Sequence, residues 1–453
     1  MKKNEELIID ITDMEFNGYG ISYIDDKKVK VKGCSITGQK VMARIKRIKG
    51  CVIEADLLDI IEKSSLEHEN VCQYFGECGG CTYLNMYYKD QLKMKENIVK
   101  KLLDNAGIEG YEYMGIEGSP KEFAYRNKME YTFGKGKNGE LALGLHKRGR
   151  FNEIITTENC LIVDGDFIKL LKSVLNYAIE NKLPVYEGKK REGYLRHLVI
   201  RKALKSGEIL VNIVTTTEIL HDFTPLTEIL KNLDYEGKLV GILHTLNNSL
   251  SDAVVCDKLE ILYGRDYFIE ELLELKFRIS AFSFFQTNPY GAERLYSTAR
   301  EFAGDISDKV VFDLYCGTGT ISIIIAPLAK RVIGIELVSE AVEAAKENAE
   351  LNGLKNCTFI AGDVAQKLKE INEKPDVVIL DPPRAGVNPK AIMDIIKFNP
   401  ETIVYVSCNP ESLARDLKML CGRQYKVEKV KCVDMFPHTY HVECVVLMSR
   451  VKK

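Results

Sequence analysis

Residues 309–336 read KVVFDLYCGTGTISIIIAPLAKRVIGIE. An apolar run of strand type carries Asp313 near its end, a turn with Gly317 and Gly319 follows, a helical pattern extends through Ala329, and a second apolar strand closes at Glu336. Outward from there the alternation continues with a helix from Ser339 to Asn352 stopped at Gly353, then the strands CTFIAGD, DVVILDPP and TIVYVSCNP. Strands that are apolar throughout, separated by amphipathic helices, define a doubly wound, mostly parallel α/β sheet. Ligands of such sheets sit beyond the carboxyl ends of the strands, where glycines let them approach the backbone, and Gly317 and Gly319 are expected to do so here. Glu336 stands 23 residues after Asp313, close to the spacing of ~20 at which an acid binds both ribose hydroxyls. Asp363, which ends the next strand, is expected near the base of the nucleoside. No Gly-Lys-Ser phosphate loop occurs in the chain, so the expected ligand is a nucleoside without phosphates, a description that S-adenosylmethionine fits.

At 453 residues the chain has room for about three domains, and its 45% apolar and 28% charged content is that of an ordinary globular protein. Lys2, Lys3, Glu5, Glu6, Asp10, Asp13 and Glu15 fall within the first 20 residues, which does not fit a signal peptide. The longest apolar run, near Ile321, is too short for a membrane span. A cytoplasmic protein without a membrane partner is expected, and no sequence feature marks an obligate protein partner. The formal net charge of -2 excludes a uniformly basic binder and leaves the local distribution of charge to decide. Thirteen cysteines, an odd number scattered over the chain, point to reduced thiols, metal ligands or a catalytic thiolate rather than to a disulfide scaffold.

Residues 1–60 hold short β-rich runs with turn signals at Asn17-Gly18 and Gly33, the pattern of a small β-barrel. Between Lys27 and Gly50 lie nine basic residues and no acid, so one side of the barrel should attract phosphate. Residues 61–280 read as a mixed central domain with two further basic stretches, Lys121 to Arg150 and Lys189 to Lys205, and residues 281–453 as the α/β domain. Near the start of the central domain, Cys72, Cys78 and Cys81 are followed at a distance by Cys160. Zinc sites usually show two separated pairs, whereas four-cysteine iron–sulfur clusters tolerate uneven spacing with one remote ligand, so a cluster is the favoured reading.

Two motifs fall at the carboxyl edge of the α/β sheet, and a third lies on a late strand. Asp381-Pro-Pro-Arg384 sets a carboxylate and a rigid turn after the strand DVVIL. Cys408, in Ser407-Cys408-Asn409-Pro410, follows the next strand and precedes a helix, whose N-terminus should favour a thiolate; a nucleophile is expected. Glu443 lies in a late, otherwise apolar strand, VECVVLM, where a carboxylate is costly without a task or a partner; a catalytic base is expected.

With Phe284-Phe285-Gln286-Thr287-Asn288, Asp313 to Thr320, Asp381 to Arg384, Ser407 to Pro410 and His438 to Glu443 in order and at matching spacing, the whole chain resembles the RNA uracil-5-methyltransferase family. The resemblance implies a Rossmann-like class I methyltransferase domain preceded by an OB-like TRAM barrel and a mixed α+β central domain. It implies Cys408 as nucleophile and Glu443 as base. Cys72, Cys78, Cys81 and Cys160 become ligands of a 4Fe-4S cluster, and Gln286, Tyr315, Glu336 and Asp381 line the methyl-donor site. Thr320 and Asp363 match less strictly, and Thr320 stands where the family often has asparagine. The barrel and the four cysteines resemble the branch that acts on 23S rRNA rather than tRNA. Competing readings are a tRNA uracil-5-methyltransferase, a cytosine-5 or amino-methyltransferase, and a cluster-bearing RNA-binding assembly factor without activity. Arg384 after the two prolines, together with Cys408, speaks against the cytosine and amino enzymes.

Overall fold

In the computed structural model, which describes residues 1–69 and 71–451, the strand–helix alternation produces an eight-stranded sheet. Its strands run in the order Cys357–Ala361, Arg331–Glu336, Val310–Leu314, Val377–Leu380, Thr402–Ser407, Glu443–Arg450, Tyr425–Val433, Glu112–Glu117. The first five are mutually parallel, and Glu443–Arg450 runs antiparallel to both of its neighbours. Val310–Leu314, first of the parallel set in the chain, lies between strands reached by crossovers in opposite directions, which makes its carboxyl end the topological switch point. All four residues of Val377–Leu380 are buried, as a central strand covered on both faces requires. Asn388 and Asn409 cap the helices Pro389–Phe398 and Pro410–Cys421, each accepting from a backbone N–H of the first turn, and a proline opens each helix.

The chain divides into two compact units, one of Met1–Val71, Cys81–Pro120 and Tyr290–Lys453, the other of Cys72–Gly80 and Lys121–Pro289. The first unit differs from the expected division at residues 60 and 280, because the helix Tyr88–Asn105 and the strand Glu112–Glu117 belong with the α/β sheet. Glu112–Glu117 pairs parallel to Tyr425–Val433 at the sheet edge. The second unit holds a seven-stranded mixed sheet with the helices Gly165–Glu180 and Thr224–Lys231 and a two-stranded ribbon, Tyr267–Leu272 with Leu275–Ser280.

The N-terminal runs form a six-stranded sheet, ordered Glu6–Asp10, Lys40–Lys49, Val52–Glu62, Lys27–Lys32, Tyr19–Ile24, Asp13–Glu15. Alternation in KKVKVK buries Val29 and Val31 completely beside Val41, Ala43, Ile45 and Ile53, each such side chain contributing about 1.5–3 kcal/mol if it is as large as valine. Register shifts between Lys40–Lys49 and Val52–Glu62 bend this pair. The sheet curls into a half-barrel, but among the described strands its two end strands do not pair with each other, so the expected barrel is open. Among the described residues no helix is long and apolar enough to cross a membrane.

Candidate active site

The register of two antiparallel strands brings the reactive pair together. Ser407 pairs with Cys444, so one further step along both chains sets Cys408 opposite Glu443. The neighbouring parallel strand Val377–Leu380 ends one residue before Asp381, whose N–H points to the Leu314 carbonyl at 3.4 Å. Asp381, Cys408 and Glu443 thus meet at the carboxyl edge.

Glu443 is only 4% exposed. Burial, and then the charge of Asp381, raise its carboxyl to about 8, against the opposing pull of Arg384. Asp381 is raised to about 7, by burial and then by Asp313. The Cys408 thiol is pushed up to about 11 by burial, Glu443 and Asp381, with Arg384 and its own backbone N–H acting the other way. Loss of solvent and two nearby carboxyls thus outweigh the guanidinium and the backbone N–H. In the sequence, Arg384 served only to argue against the cytosine and amino enzymes. It opposes the rise of both reactive groups, and its Nη2 lies 3.5 Å from each ring nitrogen of His441, so it rests on the imidazole rather than donating to one nitrogen.

At the switch point, Asp313 is fully buried; its Oδ2 accepts from Ser322 Oγ at 2.6 Å, and its Oδ1 has no partner among the described residues. Burial raises this carboxyl to about 7. Tyr315, Gly317 and Gly319 all take left-handed backbone angles, which turns the chain sharply before the helix Thr320–Ile325. The two glycines differ in role from the expectation. A Cβ on Gly319 would stand 2.8 Å from the Ala345 Cβ and against the Phe359 ring, so this glycine serves packing. A Cβ on Gly317 would meet nothing within 4 Å, so open space for a ligand lies there alone. Glu336 accepts from the N–H of Gly317 at 3.1 Å and of Val338 at 3.0 Å, which fixes its carboxylate beside that opening. Thr320 is nearly buried, and Asp363 is exposed and caps a short helical turn by accepting from Gln366 N at 3.1 Å. The orphaned Asp313 oxygen, the open face of Gly317 and the anchored Glu336 fit a small polar ligand such as a nucleoside.

Gln286 belongs to the second unit, where its carbonyl accepts from Asn127 Nδ2 at 3.2 Å. Cys72, Cys78 and Cys160 also lie in that unit, and Cys81 in the first. Glu158 N donates to Tyr74 Oη at 3.2 Å, joining the segment of Cys160 to that of Cys72 and Cys78. Burial, then Cys78 and Cys72, raise the Cys160 thiol to about 11, so these three sulfurs share one neighbourhood. Cys78 Sγ accepts from Gly80 N at 3.3 Å. Among the described residues no three His, Cys, Asp or Glu side chains converge as a metal ion requires.

The basic stretches are less free than their counts suggested. Of the nine cations between Lys27 and Gly50, six are ion-paired: Lys28 and Lys30 with Glu15, Lys40 with Glu62, Arg44 with Glu6, Lys46 with Asp56 and Arg47 with Glu54. In the third stretch Arg196, Arg201 and Lys202 are buried. Arg196 and Arg201 donate to loop carbonyls, and Lys202 pairs with Asp164 and Asp166.

A parallel sheet with a glycine-turn pocket at its switch point, and a thiol–carboxyl pair two and three strands on, define a nucleoside-binding methyltransferase-type fold. Comparison with known proteins narrows this. The family model for tRNA (uracil-5-)-methyltransferases matches residues 87–451, and the chain belongs to that family. An uncharacterized RNA methyltransferase of Caldanaerobacter subterraneus subsp. tengcongensis is 59% identical over 99% of this chain and 100% of its own length. Another, from Clostridium tetani, is 54% identical over 99% of both chains. Among solved structures, the Pyrococcus abyssi tRNA (uracil-54, C5)-methyltransferase in complex with S-adenosyl-L-homocysteine aligns with a TM-score of 0.77 at 29% identity, covering 98% of this chain and 100% of that one.

Proposed function

We propose that the protein transfers a methyl group from S-adenosylmethionine to C5 of a uridine in RNA, with Cys408 as nucleophile and Glu443 as base. The observation that carries this reading is the register that sets Cys408 opposite Glu443 at the sheet edge. C5 of uracil is a poor nucleophile, so a thiolate must first add to C6 and convert the ring to an enolate. The Cys408 proton leaves as its sulfur bonds to C6 and passes to Asp381, whose carboxyl is raised to about 7, so that Glu443 stays free to act on C5. S-adenosylmethionine supplies the electrophilic methyl, which C5 takes. Glu443, ionised, then removes the C5 proton, and expulsion of the Cys408 thiolate restores the ring double bond. Asp313, Tyr315, Gly317, Thr320, Glu336 and Asp363 would hold the methyl donor. Since one face of the ring takes the thiolate while C5 takes the methyl, the nucleotide must leave any stack.

The reading of the four cysteines is a 4Fe-4S cluster, which when bound supplies a one-electron couple and a tie among the cysteines. Protein purified without oxygen should absorb broadly in the visible range, and Cys78→Ala should lose that absorption; a colourless, zinc-containing protein would remove the cluster from the account.

Substrate choice has two readings. The four cysteines and the N-terminal sheet, taken as a TRAM domain, favour 23S rRNA. Full-length likeness to an archaeal tRNA enzyme favours tRNA. Mapping 5-methyluridine in rRNA and tRNA from a deletion strain decides between them: loss from 23S rRNA alone supports the first, loss from tRNA alone the second, and no loss from either refutes the activity.

A further inference from the structure

The helix Pro410–Cys421 buries Leu413, Leu417 and Leu420 on one stripe, and Asp416 lies on the same stripe with no exposed surface. A carboxylate there is costly unless its lone pairs are used. Asp416 Oδ2 accepts from Val387 N and from Tyr405 Oη, both at 2.7 Å, and Oδ1 accepts from Arg415 Nε at 2.8 Å and Nη2 at 2.6 Å. The same Arg415 Nη2 donates to the Ala385 carbonyl at 2.8 Å, and Asn409 Nδ2 donates to the Arg384 carbonyl at 2.9 Å. Residues 384, 385 and 387, the turn that leaves Asp381-Pro-Pro, are thereby stitched to the helix that follows Cys408. A second observation shows how closely the turn lies on the carboxylate: a Cβ on Gly386, whose φ is +79°, would stand 2.4 Å from Arg415 Nη2 and 2.5 Å from Asp416 Oδ2.

We propose that Asp416 is a positioning residue which, through Val387 and Arg415, fixes the turn so that the exposed Arg384 guanidinium faces Cys408 and Glu443. The inference rests on these two being the reacting groups. Arg384 reaches the site from a surface turn, so its direction is set by the backbone that carries it. With the clamp released the guanidinium swings into solvent, its attraction for the thiolate is screened, and the nucleophile forms less readily.

The test follows Cys408 itself, independently of turnover. In the full chain, iodoacetamide labelling of the Cys408 peptide is measured by mass spectrometry across pH, beside kcat and KM for RNA. In Asp416→Asn, labelling at a fixed pH below the midpoint should fall about tenfold, one unit of midpoint, with kcat falling and KM for RNA unchanged. Arg384→Ala should fall equally, and the combined variant no further. Unaltered labelling in Asp416→Asn, or an additional fall in the combined variant, overturns the proposal. Should Asp416→Asn fail to fold, Gly386→Ala drives a methyl group onto the same two atoms from the turn side and should give the same loss, absent in the Arg384→Ala background; unaltered labelling there also overturns it. Methyl transfer surviving in Cys408→Ser would refute the functional reading instead, while the labelling cycle still reports the clamp.

Discussion

A carboxyl buried as Glu443 is, and raised to about 8, holds its proton at neutral pH. A base must be ionised, so kcat/KM should climb with pH, up to about tenfold per unit, and level off above about 8. A profile flat from about pH 6 to 9 would remove Glu443 from that role. Stability moves the other way. Unfolded, the group titrates near its ordinary value of about 4.3, so between there and about 8 the folded state keeps a proton the unfolded state has lost, and stability falls as pH rises through that window. Glu443→Gln should therefore raise the melting temperature by about 2–4 °C near pH 9 and leave it unchanged near pH 4; equal shifts at both pH values would contradict the assignment. Cys408 and Glu443 were legible in the sequence because each breaks a local rule: a thiol before Asn-Pro at a strand end, and a carboxylate within VECVVLM. Arg384 was read only as an argument against the cytosine and amino enzymes, since an arginine on a turn is otherwise ordinary. Asp416 left a fainter mark, an acid on the stripe of Leu413, Leu417 and Leu420.

Helix starts and one buried ion pair hold the elements around the site. Asn388 accepts from Lys390 N at 2.9 Å, and Asn388→Ala should cost about 1 kcal/mol in chemical denaturation with kcat unchanged; a loss of kcat without loss of stability would give this cap a part in the site. Lys95, in the helix Tyr88–Asn105, donates to Asp434 Oδ1 at 2.7 Å and to the Phe436 carbonyl at 3.2 Å, beneath the loop that leads into Glu443. Lys95→Met strands Asp434 as a buried charge and should cost about 3–5 kcal/mol, whereas replacing both partners with apolar residues should recover most of it. Recovery failing in the double variant would show that the pair contributes more than its own neutralisation. The parallel strands and their helices were readable from periodicity. Glu112–Glu117 was assigned to the wrong company because its partner strand begins at Tyr425, and no local pattern encodes so distant a pairing. In the N-terminal sheet, alternation fixes which face of a strand is buried and leaves open whether the end strands meet.

At the scale of the whole molecule, the charge along the chain was a poor guide to charge on the surface. Six of the nine N-terminal cations already face carboxylates from other strands, while Lys27, Lys32 and Lys49 enter no ion pair among the described residues. If this sheet meets RNA, alanine at Lys27, Lys32 or Lys49 should lower the slope of log K against log salt by about 0.7–0.9 each. The paired Arg44 and Arg47 should matter less, since RNA must compete with Glu6 and Glu54 for them; equal effects at all five positions would mean that the ion pairs do not compete. The cysteines divide between the two units, three and one, a distribution their spacing did not reveal. The central claim is a bond between the Cys408 sulfur and C6 of a pyrimidine, and it can be trapped. RNA transcribed with 5-fluorouridine presents no C5 proton for Glu443 to remove. Incubated with S-adenosylmethionine and this protein, such RNA should yield a denaturant-resistant protein–RNA species whose cross-linked peptide contains Cys408 and which Cys408→Ser does not form. No such species with either rRNA or tRNA, or one joined through another residue, would contradict the account.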